Sequence, residues 1–71
     1  MKIKRKNIIV GYRQMLGYNQ KEFAELLGIS KNSYYLKENG KVSFNDKEKM
    51  IFKNKVSNIF PEITIDDIFF N

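Results

Sequence analysis

Residues 19–41 constrain the fold of this chain more than any other part of its sequence. The Asn19 side chain can accept a hydrogen bond from the first turn of a helix, and Glu22 can reach back to the Asn19 N–H, which together make a capping box. Gly28 can adopt the left-handed conformation that ends a helix, and Ser30 is a second capping residue. The pattern predicts two short helices joined by a tight turn at Gly28, the second starting directly after Ser30.

Apolar residues lie on one face of the first of these helices. Phe23, Ala24 and Leu27 have the spacing of a helix that packs one side against a core. Two helices that cross near a right angle need a small residue where their axes approach. We therefore expect the two helices to cross at Ala24.

The composition limits the chain to one domain and removes most enzyme classes. A chain of 71 residues has room for a single modest core. It contains no Cys and no His, which removes disulfides, thiolate nucleophiles, imidazole bases and the usual zinc ligands. It also lacks a Gly-rich phosphate loop. We predict that the protein is not an enzyme and needs no metal and no other cofactor.

The apolar segments are short. The longest runs, residues 8–10 and 68–70, fall far below the length of a membrane span, and no signal-peptide core follows the Lys-rich start. The sequence therefore predicts no membrane partner and a cytoplasmic location.

Positive charge is concentrated in the first part of the chain. Residues 1–41 contain nine Lys or Arg and three Glu, a net charge of +6, whereas residues 42–71 contain four Lys and five acidic residues, a net charge of −1. A phosphate backbone would be attracted to the first part. Charge alone favours nucleic acid no more than an ordinary lysine-rich surface.

The remaining sequence predicts three more helices. Residues 1–6 read as a basic, flexible arm and residues 7–71 as one domain. Asn7 is expected to cap a first helix that runs to about residue 16, with its buried side given by Ile8 or Ile9 together with Tyr12, Met15 and Leu16.

The second half repeats the capping pattern of the first. Asn45 and Glu48 predict the start of a helix through about residue 58, whose inner face carries Phe52, Val56 and Ile59. Pro61 ends that helix, and Thr64 or Asp66 starts a short last turn. The fold class predicted is all-α, a compact bundle of about five short helices.

Eight residues give the chain a specific resemblance to a known family. Their spacing resembles the helix-turn-helix of the phage repressor and Cro family of transcriptional regulators, also called the xenobiotic-response-element type, over residues 8–44 with a weaker tail to residue 70. They are Arg13, Gln20, Ala24, Gly28, Ser30, Glu38, Asn39 and Gly40. The resemblance implies a lambda-repressor-like domain that binds double-stranded DNA, a small repressor of phage or mobile-element type, and a homodimer on DNA.

One position departs from the family pattern. The residue nine after the turn glycine is usually apolar, but here it is Lys37. We expect Lys37 to lay its aliphatic stem over the core with its ammonium in water, and Phe44 to fill the missing volume.

The second helix of such a motif enters the major groove with its N-terminal residues toward the bases. In this chain that helix is about residues 31–38. Lys31 suits guanine O6 and N7, and Asn32 suits adenine. The alternative for both is an ordinary solvated first turn, and Tyr35 can instead pack on its own helix. The candidate base-reading residues are Ser30, Lys31, Asn32 and Tyr35.

Other residues are candidates for positioning the DNA backbone or the helices. Gln20, at a helix N-terminus that attracts anions, can contact a phosphate or can be a plain first-turn residue. The resemblance implies that Asn39 also approaches phosphate, and Lys41 adds a charge nearby. It further implies an ion pair between Arg13 and Glu38 that joins the first helix to the end of the recognition helix.

The C-terminal tail leaves two alternatives open. Ile68, Phe69 and Phe70 carry more apolar surface than a short turn easily buries. They either complete the core of the monomer or form a two-fold interface that places two recognition helices on DNA. The same tail permits a second function, an antitoxin-like or other protein-interaction module built on this fold.

Overall fold

Five α-helices make up the part of the chain that the structure describes. This computed structural model describes the backbone of residues 5–70 and the side chains of residues 8–70. The helices are α1 (Arg5–Met15), α2 (Gln20–Leu27), α3 (Lys31–Glu38), α4 (Asp46–Val56) and α5 (Ile65–Phe69). No strand occurs within residues 5–70. The all-α class predicted from the sequence is confirmed.

Capping boxes start α2 and α4 at the predicted residues. Asn19 Oδ1 accepts the Glu22 N–H at 2.7 Å, and Glu22 Oε1 accepts the Asn19 N–H at 2.9 Å. Asn45 and Glu48 repeat the arrangement at 2.8 and 2.9 Å. Each box satisfies two N–H groups that a helix start would otherwise leave without partners.

A single capping residue starts α3, a third capping box starts α5, and a glycine turn ends α2. Ser30 Oγ accepts the Ser33 N–H at 3.0 Å at the start of α3, and Thr64 caps α5 together with Asp67. Gly28, with φ of 75°, ends α2. The Ile29 N–H then donates back to the Ala24 carbonyl at 3.0 Å, which is the hydrogen bond of a Schellman turn.

Two helix ends differ from the prediction. α1 begins at Arg5, so Asn7 lies inside the helix and the prediction that it caps α1 was wrong; Arg and Lys are good helix formers that extend a helix without a cap. Residues 1–4 of the predicted arm lie outside the described part. α4 ends at Val56, where the hydrogen bonds tighten to the i→i−3 pattern: the Asn58 N–H donates to the Lys55 carbonyl at 3.1 Å and the Ile59 N–H to the Val56 carbonyl at 2.9 Å.

Aromatic side chains from five parts of the chain build the core. Phe23 and Phe52 lie 4.8 Å apart between ring centroids, and Phe44 packs edge-on against Tyr34 at 6.1 Å. Phe44 is buried and packs in the core beside α3, as predicted. The buried apolar residues are Ile9, Phe23, Ala24, Leu27, Tyr34, Phe44, Phe52, Val56, Ile68 and Phe69.

Two residues predicted to face the core are exposed instead. Met15 is 56% exposed, because the inner stripe of α1 runs through Ile9, Arg13 and Leu16 and leaves Met15 on another side. Ile59 is exposed because α4 has already ended before it. The first error concerns which side of α1 faces the core, and the second concerns where α4 ends.

Two of the three residues of the C-terminal tail are buried and the third is exposed. Ile68 is fully buried, and Phe69 packs against Phe44 at 5.4 Å and Phe52 at 5.6 Å. Phe70 is 59% exposed. Ile68 and Phe69 therefore complete the core of the monomer and are unavailable for the interface alternative, which is left with Phe70 alone.

Candidate nucleic-acid interface

Helix α3 has one buried face and one exposed face. Tyr34 and Glu38, four residues apart, point into the protein and are almost completely buried. Lys31 and Asn32 are exposed, and Tyr35 is 49% exposed on the same side. Because residues three and four apart are neighbours on a helix, these three side chains form one continuous outer surface at the start of α3.

The Ser30 side chain is already used by the fold. Its Oγ accepts the Ser33 N–H and also lies 3.0 Å from Ser33 Oγ, to which it donates. A hydroxyl has one hydrogen and two lone pairs. Ser30 therefore defines where α3 begins and retains only acceptor capacity toward a base.

A buried polar network joins α3 to α1 and α2. The Glu38 carboxylate accepts hydrogen bonds from Arg13 Nε, Gln20 Nε2 and the Tyr34 hydroxyl, each at 2.7 Å. Arg13 also donates from Nη1 to the Tyr18 carbonyl at 3.0 Å. The structure thus contains the ion pair that the resemblance implies, and adds Tyr34 and Gln20 to it.

Burial and hydrogen bonding set the charges in this network. Burial lowers the pKa of Arg13, but its hydrogen bond to Glu38 and the charge of that carboxylate outweigh burial and leave the pKa raised. Burial, and next the hydrogen bond to Glu38, raise the pKa of Tyr34. The guanidinium stays charged and the phenol stays protonated, so both donate to Glu38.

Gln20 is oriented by the same network. Its Nε2 donates one hydrogen to Glu38 and the side chain is half-buried. A carboxamide nitrogen carries two hydrogens. One donor of Gln20 is therefore engaged inside the protein, a contact that links positions 18 residues apart and that local spacing does not reveal.

Asn39 and Gly40 shape the turn after α3. Asn39 Nδ2 donates to the Tyr35 carbonyl at 2.7 Å, and Gly40 has a φ of 79°. The Lys41 N–H donates to the Leu36 carbonyl at 2.9 Å, which closes another Schellman turn. The Lys41 side chain is exposed at the end of this turn. The candidate phosphate contacts Asn39 and Lys41 thus lie at the opposite end of α3 from Lys31 and Asn32.

Lys37 is placed differently from the prediction. Its side chain is only 13% exposed, and its Nζ contacts Oε1 of Glu48, whose side chain is 5% exposed. The prediction that its ammonium lies in water was wrong, because a buried carboxylate at the start of α4 offers a closer partner. The capping box had located Glu48 in the sequence but gave no sign of a contact with α3.

These features define a class of protein. Two short helices, a tight turn at a left-handed glycine, and an exposed first turn on the second helix are the architecture of a helix-turn-helix DNA-binding domain. A family model described as helix-turn-helix matches residues 11–48, more than half of the chain. No curated protein and no solved structure matches this chain.

The chain belongs to the helix-turn-helix family of the phage repressor and Cro type. It is therefore a DNA-binding transcriptional regulator of that type, and the family is one of regulatory domains, not of enzymes. Within the described residues, no helix has the length and apolarity needed to cross a membrane. Residues 8–70 also contain no cluster of side chains able to bind a metal ion.

Proposed function

We propose that this protein is a sequence-specific repressor of phage or mobile-element type that inserts α3 into the major groove of its operator. Occupying a promoter in this way would block the polymerase. The observation that carries the proposal is the exposed pair Lys31 and Asn32 on the first turn of α3. Within residues 8–70, neither side chain is engaged in a hydrogen bond, so both can pair with bases.

The buried face of α3 supports a fixed presentation of these two residues. The Tyr34 hydroxyl donates a hydrogen bond to Glu38 at 2.7 Å, and Glu38 also accepts hydrogen bonds from side chains of α1 and α2. Rotation of α3 about its axis would break these contacts. Lys31 and Asn32 therefore project in one direction, which base recognition requires. Tyr35, exposed beside them, can contact a thymine methyl group or a phosphate.

Residues at both ends of the motif are proposed to contact the DNA backbone. Gln20 has a second amide hydrogen to donate, and the N-terminus of α2 attracts anions. Asn39 and Lys41 lie beside the turn after α3. Such contacts fix the orientation of the protein on DNA without reading its sequence.

Binding to a random duplex at two salt concentrations tests DNA binding directly. We expect affinity to fall steeply between 50 and 200 mM salt, with each neutralised phosphate contributing about 0.9 to the slope of log K against log salt. Lys41→Ala should reduce that slope by about 0.9 per subunit. Fluorescence anisotropy of a labelled duplex measures both.

Lys53→Ala, on the last turns of α4, is the matched control and should leave the slope closer to that of the wild-type protein. A salt-independent affinity of the wild-type protein would contradict DNA binding through the basic face. Equal slopes for the Lys41→Ala and Lys53→Ala variants would remove Lys41 from the phosphate contacts.

We also propose that the protein binds as a homodimer through Phe70. This ring is exposed, and the Lys49 ammonium lies 4.6 Å from its centroid. Aromatic residues are enriched at protein–protein interfaces relative to the rest of the protein surface. Sedimentation equilibrium should give a dimer for the wild-type protein and a monomer for Phe70→Asp.

Phe60→Asp is the control, since Phe60 is also an exposed phenylalanine, packed edge-on against Tyr12 at 6.1 Å. Removing residues 69–71 would be a poorer test because it also takes Phe69 out of the core. A monomeric wild-type protein, or dissociation by Phe60→Asp in place of Phe70→Asp, would contradict this interface.

One observation favours the second function, a protein-interaction module of antitoxin type. Ile59 and Phe60 are exposed apolar residues, and with Tyr12, Pro61 and Ile63 they line a shallow groove of about 450 Å³. Exposed apolar clusters often mark protein contacts. A folded protein with no salt-dependent affinity for DNA would favour this function over repression.

A further inference from the structure

The Lys37–Glu48 ion pair connects the two ends of the segment between α3 and α4. Lys37 lies in the last turn of α3 and Glu48 in the first turn of α4. Between them runs the α3–α4 loop, residues 39–45, which contains the candidate phosphate contacts Asn39 and Lys41. A contact between Lys37 and Glu48 therefore limits how far the ends of this loop can separate.

The Glu48 side chain is also held in place by the capping box of α4. Its Oε1 accepts the Asn45 N–H at 2.9 Å, and its own N–H donates to Asn45 Oδ1 at 2.8 Å. The same Oε1 accepts the Lys37 ammonium. One carboxylate oxygen thus joins the end of α3, the last residue of the loop and the start of α4.

Backbone contacts complete the shape of the loop. The Gly40 N–H donates to the Lys37 carbonyl at 3.1 Å and the Lys41 N–H donates to the Leu36 carbonyl at 2.9 Å. Phe44 is buried in the core beside Tyr34. The loop is therefore attached at its start by backbone hydrogen bonds, at its end by Phe44, and across its ends by the Lys37–Glu48 pair.

The stability that the Lys37–Glu48 pair adds to the fold does not explain why these two charges are buried together. The free-energy cost of removing two charges from water offsets most of their attraction. A buried ion pair therefore contributes little more to stability than apolar residues of the same size. What an ion pair adds is direction, because it fixes an ammonium against one particular oxygen. A positioning role accounts for the pair better than a stabilising one.

We infer that the Lys37–Glu48 pair is a positioning device, which orders the α3–α4 loop in the shape that contacts DNA phosphates. This inference rests on the proposed function, because it assumes that the loop approaches DNA. Lys37 and Glu48 themselves touch no base in this scheme. Their effect reaches DNA through Asn39, Gly40 and Lys41.

Glu48→Gln is the main test, because glutamine preserves the capping box but, as a neutral acceptor, holds the Lys37 ammonium much less strongly than a carboxylate does. Only the negative charge is lost. Glu62→Gln is the matched control, since it removes one negative charge from an exposed position. Both variants change the net charge by the same amount, so a difference between them reports the loss of the charge at position 48.

Hydrogen exchange of the free protein gives the first readout. In Glu48→Gln the Lys41 amide should exchange about 10-fold faster than in Glu62→Gln, while the Leu27 amide in α2 changes by less than about 2-fold. The double variant Lys37→Met with Glu48→Gln, which leaves no buried charge unpaired, should give the same pattern. Equal acceleration at Lys41 and Leu27 in both variants, or no change, would overturn the positioning role.

DNA affinity gives the second readout. Relative to Glu62→Gln, we expect Glu48→Gln to bind cognate and random duplexes about 10-fold more weakly, with the ratio of the two affinities unchanged within about 2-fold. Loss on the cognate duplex alone, or no loss, would overturn the inference. If the wild-type protein bound no DNA, the proposed function would fail, whereas the exchange rates would still report whether the pair orders the loop.

Discussion

Replacing Glu38 by alanine is expected to lower the free energy of unfolding by about 3–5 kcal/mol, the usual cost of breaking a buried ion pair. The change leaves the buried Arg13 guanidinium without its counter-charge, and leaves the Tyr34 hydroxyl and Gln20 amide without their acceptor. A domain of 71 residues has a total stability of about 4–10 kcal/mol. The variant should therefore lose about a third or more of its stability, as measured by urea denaturation.

Two further variants give this prediction its controls. Glu25→Ala removes an exposed glutamate from α2 and should change stability by less than about 0.5 kcal/mol. The triple variant Arg13→Met, Tyr34→Phe, Glu38→Leu removes the polar groups together and should recover much of the loss, because apolar residues replace a buried ion pair well. A loss below about 1 kcal/mol for Glu38→Ala would contradict the network as the main attachment of α3.

Replacing Lys31 and Asn32 together by alanine is expected to remove most of the preference for the operator. A well-placed contact to a base contributes about 1–3 kcal/mol of discrimination. Two such contacts should make the ratio of operator to random affinity fall by about 30-fold or more per half-site. Affinity for random DNA should fall far less, because phosphate contacts elsewhere are preserved. Competition binding against random duplex measures both quantities.

The chain offers a matched control for this variant. Lys53 and Asn54 are the same two residue types in the same order, on α4. Lys53→Ala with Asn54→Ala should preserve the preference for the operator. If Lys31→Ala with Asn32→Ala reduced operator and random affinity equally, these residues would be backbone contacts and not base readers.

The helix starts could be predicted because capping is a local interaction. Asn19 with Glu22, Asn45 with Glu48, and Thr64 with Asp67 each make their hydrogen bonds within three residues. The start of α1 was missed since Asn7 also resembles a cap but lies inside a helix that begins at Arg5. A capping residue shows where a helix can begin, and the preceding residues decide whether it begins earlier.

The site could be predicted only as far as periodicity reaches. The exposed face of α3, with Lys31, Asn32 and Tyr35, follows from the spacing once the buried face is known. The partner of Lys37 lies eleven residues away across a loop, and its contact depends on how α4 approaches α3. The same limit applies to the tail, where only the packing of α5 decides which of its aromatic residues faces the core.

Methylation interference on the operator tests most directly whether α3 lies in the major groove. Guanine N7 is in the major groove and adenine N3 is in the minor groove, so a methyl group on either reports the groove in use. We predict that N7 methylation of a guanine in each half-site blocks binding of the wild-type protein. Binding of Lys31→Ala should be insensitive to methylation of that guanine, while methylation at other positions should affect both proteins alike. Identical patterns for the two proteins, or interference at adenine N3 alone, would contradict base reading by Lys31 in the major groove.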